Sequence, residues 1–270
     1  MLLKTRNFDL KHTLECGQLF RYEKKGADYY LAVRDRIIRL KQKGSDLVFE
    51  GAPKKFVVHY FALDEDYEKI ISGLKKDKFV ANAIERYKGM RICRQDPWEC
   101  LISYICSSAS NIPKIRKNLN NLAKSFGRKI NLGNYVSYSF PTKDEIKSLC
   151  TVKSCGCGFR SRYIFETARS INENWLKKLK KMGYEDAKKE LVKLPGVGEK
   201  VADCVLLFSL GFGEAFPVDV WVKRVMEELY FGNKKTSEKK IREFASKKWG
   251  KYAGYAQQFL FHSRRNDKND

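Results

Sequence analysis

The stretch Leu194-Pro195-Gly196-Val197-Gly198-Glu199-Lys200 interrupts two helical patterns, one over 184–194 and one over 200–210, and its reading decides the fold. Pro195 stops the first helix, because its ring removes a backbone donor and clashes with the preceding turn. The two glycines open backbone conformations closed to other residues, so the chain can turn at once into the next helix. That helix begins with unpaired N–H groups at the positive end of its dipole, a geometry that holds a phosphate by backbone contact alone. Such contact reads no base sequence, which suits a protein that inspects any DNA. An ordinary tight turn between helices has the same signature, and the turn alone leaves both readings open.

Downstream, Lys200 falls in the first turn of its helix, where the dipole disfavours a cation. Lys200, Cys204 and Phe208 recur at i, i+4 and i+8, so the lysine shares a face with apolar groups. Partial desolvation there favours the neutral amine that nucleophilic attack requires. A lysine whose stem lies over the core with its ammonium in water is the commoner arrangement, and it stays open at this point. Beyond it, Gly211-Phe212-Gly213-Glu214-Ala215-Phe216-Pro217-Val218-Asp219 leads into an expected helix over 220–230. Asp219 is placed to cap that helix. It is also a carboxylate that can stabilise a cationic transition state at a sugar carbon or take up a proton, and the two roles are compatible.

Upstream, the pattern divides in two. Short aromatic or β-branched runs at 20–22, 29–33, 36–40 and 47–49, punctuated by Gly26, Asp35, Gly44-Ser45 and Gly51, predict an antiparallel meander. From about Asp64 the period becomes helical, with amphipathic helices over 67–74 and 79–87. Asp96-Pro97-Trp98-Glu99 combines a capping Asp, Pro at the first helical position and Glu at the third, a clear helix start. Asn111-Ile112-Pro113 opens a helix over 115–126, and a loop rich in Gly, Ser and Pro is expected over 127–142. Further helices are expected over 144–149, 160–174, 237–248 and 252–262. The final residues, Arg264 to Asp270, are polar and expected to fray. The fold class is therefore α+β, with an N-terminal antiparallel β-sheet domain over 1–88 and a larger helical domain over 89–270.

Composition narrows the function. Among 270 residues, 54 Lys and Arg against 32 Asp and Glu leave a net charge of +22, which calls for a polyanionic partner such as nucleic acid. A solvated basic surface is the alternative, and it also accounts for the cluster Lys177, Lys178, Lys180 and Lys181. With 43% hydrophobic residues there is material for a buried core, so disorder is expected only at the termini. Eight cysteines contain no C-x-x-C pair, and with three histidines they do not form a zinc or iron–sulfur pattern, so no metal or other cofactor is expected. Without a secretory leader at its start, the chain is expected to be intracellular with reduced thiols, and no stretch is apolar enough to span a membrane.

The run LPGVGEKVADCVLLFSLGFGEAFPVDV (194–220) resembles the helix-hairpin-helix motif and the following Gly/Pro-rich loop with its Asp of base-excision DNA glycosylases. The lysine, the cysteine four residues on and the PVDV loop are similar to the 8-oxoguanine DNA glycosylase/lyase family in particular. So are CGQLFRY (16–22), RQDPWECLISYICSS (94–108), GFRSRYI (158–164) and YAGYAQQFLF (252–261), which spread the resemblance over nearly the whole chain.

The resemblance implies base excision repair: a monomer acting on double-stranded DNA that flips the 8-oxoguanine nucleotide out of the stack. Lys200 would attack the sugar C1′ and form a Schiff base that permits strand cleavage by β-elimination, with Asp219 stabilising the developing positive charge. The carbonyl of Gly17 would accept the proton that 8-oxoguanine carries on N7 and guanine lacks. Gln257 would read the Watson–Crick edge, Phe261 would stack on the base, and Cys204 and Pro217 would complete the pocket. DNA contacts would come from the hairpin residues Gly196, Gly198 and Val201, and from Asn111, Lys114, Phe159, Arg160 and Trp221. Four positions depart from the eukaryotic members: Ala109 replaces an Asn, Phe159 a Tyr, Lys114 an Arg and Trp221 a His. Ala109 cannot supply hydrogen bonds to an orphaned cytosine, which predicts a weaker preference for cytosine opposite the lesion. Two other readings stay open on sequence: a glycosylase for another damaged base, and a non-catalytic DNA-binding hairpin.

Overall fold

The alternation of apolar residues with short turns yields a five-stranded sheet in the computed structural model, which describes residues 1–172 and 174–266. Strands β1 (Leu2–Lys4), β2 (Tyr22–Lys25), β3 (Asp28–Val33), β4 (Arg36–Lys43) and β5 (Asp46–Glu50) lie in the order β1-β5-β4-β3-β2, every neighbour antiparallel. Leu31 faces Ile38 and Leu40 faces Phe49 across the sheet, so the period of two puts one set of side chains into the core. Against that face pack Leu10 and Leu14 of α1 (Leu10–Glu15) and Val57 and Tyr60 of α2 (Lys54–Tyr60). The edge strand β1, absent from the expected meander, is three residues long and carries too little pattern to be read from sequence.

The remaining helices form a second and larger apolar cluster. They are α3 (Tyr67–Leu74), α4 (Lys78–Arg86), α5 (Pro97–Ser107), α6 (Ile112–Phe126), α7 (Leu149–Val152) and α8 (Arg160–Ser170). After them come α9 (Trp175–Leu179), α10 (Tyr184–Val192), α11 (Glu199–Val205), α12 (Val220–Tyr230), α13 (Glu238–Trp249) and α14 (Ala253–Asn266). α3 and α4 lie before residue 88, yet their apolar residues Ile70, Ile71, Leu74, Val80 and Ile84 enter the helical cluster. The starts follow local chemistry: Asp96, Asn111, Asp219 and Ser237 each cap the next helix through a side-chain oxygen. Glu99 departs from the capping role expected of it. Its carboxylate turns to the sheet, meeting the Arg21 guanidinium at 3.2 Å and accepting from Arg34 N at 3.2 Å, so it ties α5 to the N-terminal sheet.

Several stretches differ from expectation. The expected helix over 160–174 ends at Ser170 and α9 starts separately at Trp175. α14 stays helical to Asn266 where fraying was expected, residues 267–270 lying outside the described residues. The expected loop over 127–142 is a hairpin, β6 (Lys129–Leu132) and β7 (Tyr135–Tyr138), joined by Gly133-Asn134 with Gly133 at φ 55°. A two-residue Gly-Asn turn between β-formers is a hairpin signal. The hairpin stacks Tyr135 on Tyr30 of β3, with ring centroids 4.2 Å apart, so the helical part is not free of strands. The expected helix over 144–149 is split because two caps compete within it. Glu145 folds back to accept from Thr142 N at 2.8 Å, and Ser148 then caps a separate start at Thr151 N, 3.2 Å away.

Candidate active site

The helix α11 and its facing partner α5 build the floor of the site. On α5, Cys100, Tyr104 and Ser107 share a face at i, i+4 and i+7, and this face meets the stripe of Lys200, Cys204 and Phe208. Tyr104 and Phe208 stack with ring centroids 5.6 Å apart. The Lys200 Nζ lies 5.1 Å above the Tyr104 ring and donates to Ser107 Oγ at 3.2 Å. Cys204 is 2% exposed, and burial pushes its thiol up to about 12 against the opposing pull of Lys200, so it stays protonated and uncharged beside the amine.

Around this floor the chain closes a cavity of about 410 Å³. Lys200, Cys204, Pro217 and Asp219 line it, as do Gly17, Gln257 and Phe261 from the two ends of the sequence. Asp219 caps α12 through one oxygen, accepting from Val222 N at 2.8 Å, and also lines the cavity. Gln257 is 4% exposed and its Oε1 has no hydrogen-bond partner among the described residues. A buried amide oxygen left so is costly unless a ligand satisfies it.

Gly17 sits at φ 87°, and a Cβ there would come within 2.7 Å of Arg265 Nη1 and 3.3 Å of Phe261 Cε1. The positive φ would strain any residue with a side chain, and the turn is held from three sides. Gln258 Nε2 donates to Cys16 O at 2.9 Å, while Gln95 Nε2 and the Tyr104 hydroxyl both donate to Gln18 O, at 2.8 and 2.9 Å. The fully buried Gln18 side chain anchors the same turn through Thr13 O, Arg91 O and Cys93 N.

The hairpin turn lies outside the cavity lining. Gly196, at φ 74°, packs so closely that a Cβ would overlap Tyr163, 2.4 Å from its Cδ2. Gly198 is the cap residue of α11 with open space around it, and Val201 is 5% exposed, so the turn presents backbone rather than side chains. Asn111 and Trp221 line the cavity, and Lys114 is exposed on α6. Phe159 is 59% exposed, a large apolar side chain projecting into solvent. Arg160 is placed differently from a free DNA contact. It is 2% exposed, and its guanidinium is occupied by the carbonyls of Ser108, Ala109 (2.8 Å) and Cys157 (3.3 Å) while it lies 4.4 Å over the Phe159 ring. It fixes the turn after α5, in which Ala109 adopts φ 47°.

Tyr104 and Ser107 were not singled out from the sequence. Their signal was the face they share on α5, but nothing local says which helix that face meets. A second and larger cavity, about 610 Å³, opens behind α11 among Tyr184, Lys188, Glu199 and Arg242. It holds none of the expected site residues, and its lining mixes acids and bases in similar number.

Comparisons with known proteins cover the same ground. The family model "8-oxoguanine DNA glycosylase, N-terminal domain" matches residues 1–101, and the model "HhH-GPD superfamily base excision DNA repair protein" matches residues 102–251. The N-glycosylase/DNA lyase of Saccharomyces cerevisiae is 33% identical over 93% of this chain and 82% of its own length. The Clostridium acetobutylicum 8-oxoguanine glycosylase/lyase, solved with duplex DNA containing cytosine opposite 8-oxoguanine, superposes with a TM-score of 0.92 at 32% identity. That match covers 99% of this chain and 98% of the other. A structure of MBOgg1 with a low-affinity DNA ligand gives a TM-score of 0.94 at 36% identity, covering 99% and 96%.

Proposed function

The chain belongs to the HhH-GPD superfamily of base excision DNA repair proteins, and within it we propose that Lys200 and Asp219 carry the chemistry. The reaction is excision of 8-oxoguanine from duplex DNA, followed by cleavage of the strand. The observation that carries the assignment of roles is one cavity lined by both residues and by Gly17, Cys204, Pro217, Gln257 and Phe261.

The lone pair of the Lys200 amine attacks C1′ of the everted nucleotide. The bond from C1′ to the base breaks, its electrons leave with the base, and the base gains a proton. Opening of the sugar ring gives the Schiff base, and loss of a C2′ proton expels the 3′ phosphate. Asp219 offsets the positive charge that builds at the sugar, with its geometry fixed by its role as a cap. The Gly17 carbonyl accepts N7–H, where guanine offers a lone pair instead. Gln257 Oε1 meets a donor on the base edge, and Phe261 and Cys204 bound the ring. The hairpin backbone at Gly196 and Gly198 holds a phosphate, Phe159 wedges the duplex, and Asn111, Lys114 and Trp221 line the path of the strand. Arg160 serves the same interface by holding the Ser108–Ala109 turn. The enzyme works as a monomer inside the cell, with the surplus of 22 positive charges favouring DNA.

Borohydride reduction of the enzyme on an 8-oxoguanine duplex is expected to trap a covalent adduct, and Lys200→Gln to abolish it while lesion binding persists. A non-catalytic hairpin gives no adduct in either protein, and that result overturns the reading. With Ala109 in place of a hydrogen-bonding side chain, excision measured opposite the four bases should show only a weak preference for cytosine. A steep preference for cytosine counts against the role given to Ala109.

A further inference from the structure

Lys200 is a flexible amine, and a nucleophile must be aimed as well as present. Among the described residues, one hydroxyl touches it: Ser107 Oγ, 3.2 Å from Nζ. The hydroxyl proton is already committed, because Ser107 Oγ donates to Tyr104 O at 2.7 Å. What the oxygen turns towards Lys200 is therefore a lone pair, and it takes an N–H from the amine. The Tyr104 ring beneath Nζ restricts the amine from a second side. Ser107 holds one N–H, the Cys204 thiol lies beside the same amine, and Lys200 lines the cavity.

We propose that Ser107 is a positioning residue for the nucleophile, its hydroxyl oxygen holding one N–H of Lys200 so that the nitrogen lone pair points into the cavity. The same turn of α5 carries Tyr104, whose hydroxyl holds Gln18 O beside the Gly17 carbonyl. One helical turn thus sets the distance between the group that attacks the sugar and the carbonyl that reads the base. The inference rests on the assignment of Lys200 as the nucleophile.

The test compares wild type, Ser107→Ala, Ser107→Thr and Lys200→Gln in single-turnover assays on two duplexes, one with 8-oxoguanine and one with a preformed abasic site. Ser107→Ala is expected to slow both base excision and adduct formation at the abasic site by about tenfold, with duplex affinity and melting temperature unchanged. Ser107→Thr keeps the oxygen and should restore most of both rates. A residue that only shapes the base pocket would slow the 8-oxoguanine reaction alone, since the abasic site has no base to bind. If Ser107→Ala matches wild type on both duplexes while Lys200→Gln is inactive, the positioning role is wrong and the nucleophile stands. If Lys200→Gln still forms the adduct, the nucleophile assignment itself falls. If Ser107→Ala lowers the melting temperature and threonine fails to rescue, Ser107 is structural and the proposal is overturned.

Discussion

The helix α11 carries charged residues on two faces, and the two are built differently. On the rear face Asp203 is fully buried and saturated: Lys188 Nζ lies 3.0 Å from Oδ1, and the Tyr184 hydroxyl donates to the same oxygen at 2.6 Å. Glu199, one turn earlier, is clamped by Arg242 and lies 3.8 Å from Lys188. On the front face, among the described residues, Lys200 meets an aromatic ring, one hydroxyl and the Cys204 thiol, beside a cavity also lined by Asp219 and by Gln257, whose Oε1 has no partner there. The larger cavity lies on the rear, and the smaller one in front has the under-satisfied polar groups. Polar groups that the fold has fully paired hold a helix in place, whereas those it leaves short of partners are free to engage a substrate.

Substitutions can break that contrast. Lys188→Met should have the largest effect, leaving the Asp203 carboxylate buried without its cation and costing about 3–5 kcal/mol of stability. Excision per folded molecule should be unchanged, as measured by chemical denaturation beside single-turnover rates. A loss of rate without loss of stability would place Lys188 in the chemistry. Asp219→Asn should do the reverse. Asparagine caps a helix as well as aspartate does, so stability should hold. The rate should fall about a hundredfold, equivalent to about 2.7 kcal/mol in the barrier. A melting temperature that drops with the rate would make Asp219 a cap and nothing more.

The remaining effect concerns pH. Burial pushes the Asp203 carboxyl up from 3.8 to about 6, against the opposing pull of Lys188 and Tyr184. A carboxyl whose value is raised by folding binds its proton more tightly in the folded state. Its contribution to stability therefore declines as pH rises from about 4 to about 6 and is level above that. Asparagine does not titrate, so the stability of wild type minus that of Asp203→Asn should fall across this window in denaturation at pH 4, 5, 6 and 7. A difference that is flat or rising would show that the ion pair, not burial, controls the acid.

Local chemistry made much of the fold readable. Asp96, Asn111, Asp219 and Ser237 announce helix starts through contacts spanning two or three residues, and the alternation in β3 to β5 announces a buried sheet face. The failures have the same physics. At 144–149 two caps of similar strength compete, and periodicity does not say which one wins. At 127–142 the loop-like composition hides a two-residue Gly133-Asn134 turn, and the hairpin stacks on Tyr30, a residue about a hundred positions earlier. On packing, we propose to count α3 and α4 with the helical domain, since their apolar faces have no place in the sheet's core.

What the sequence by itself determined was the local setting of the residues proposed to react. A proline and two glycines dictate the turn, the turn dictates that Lys200 lies in the first turn of a helix, and Asp219 caps the helix that follows. Those are short-range consequences of backbone sterics and dipoles. The tertiary structure alone decided which groups face Lys200, because Ser107 lies 93 residues away and Gly17 lies near the other end of the chain. It also decided that Arg160 is buried and bonded to the carbonyls of Ala109 and Cys157. Contacts across such separations depend on how two apolar stripes pack, and no local rule for either stripe names its partner.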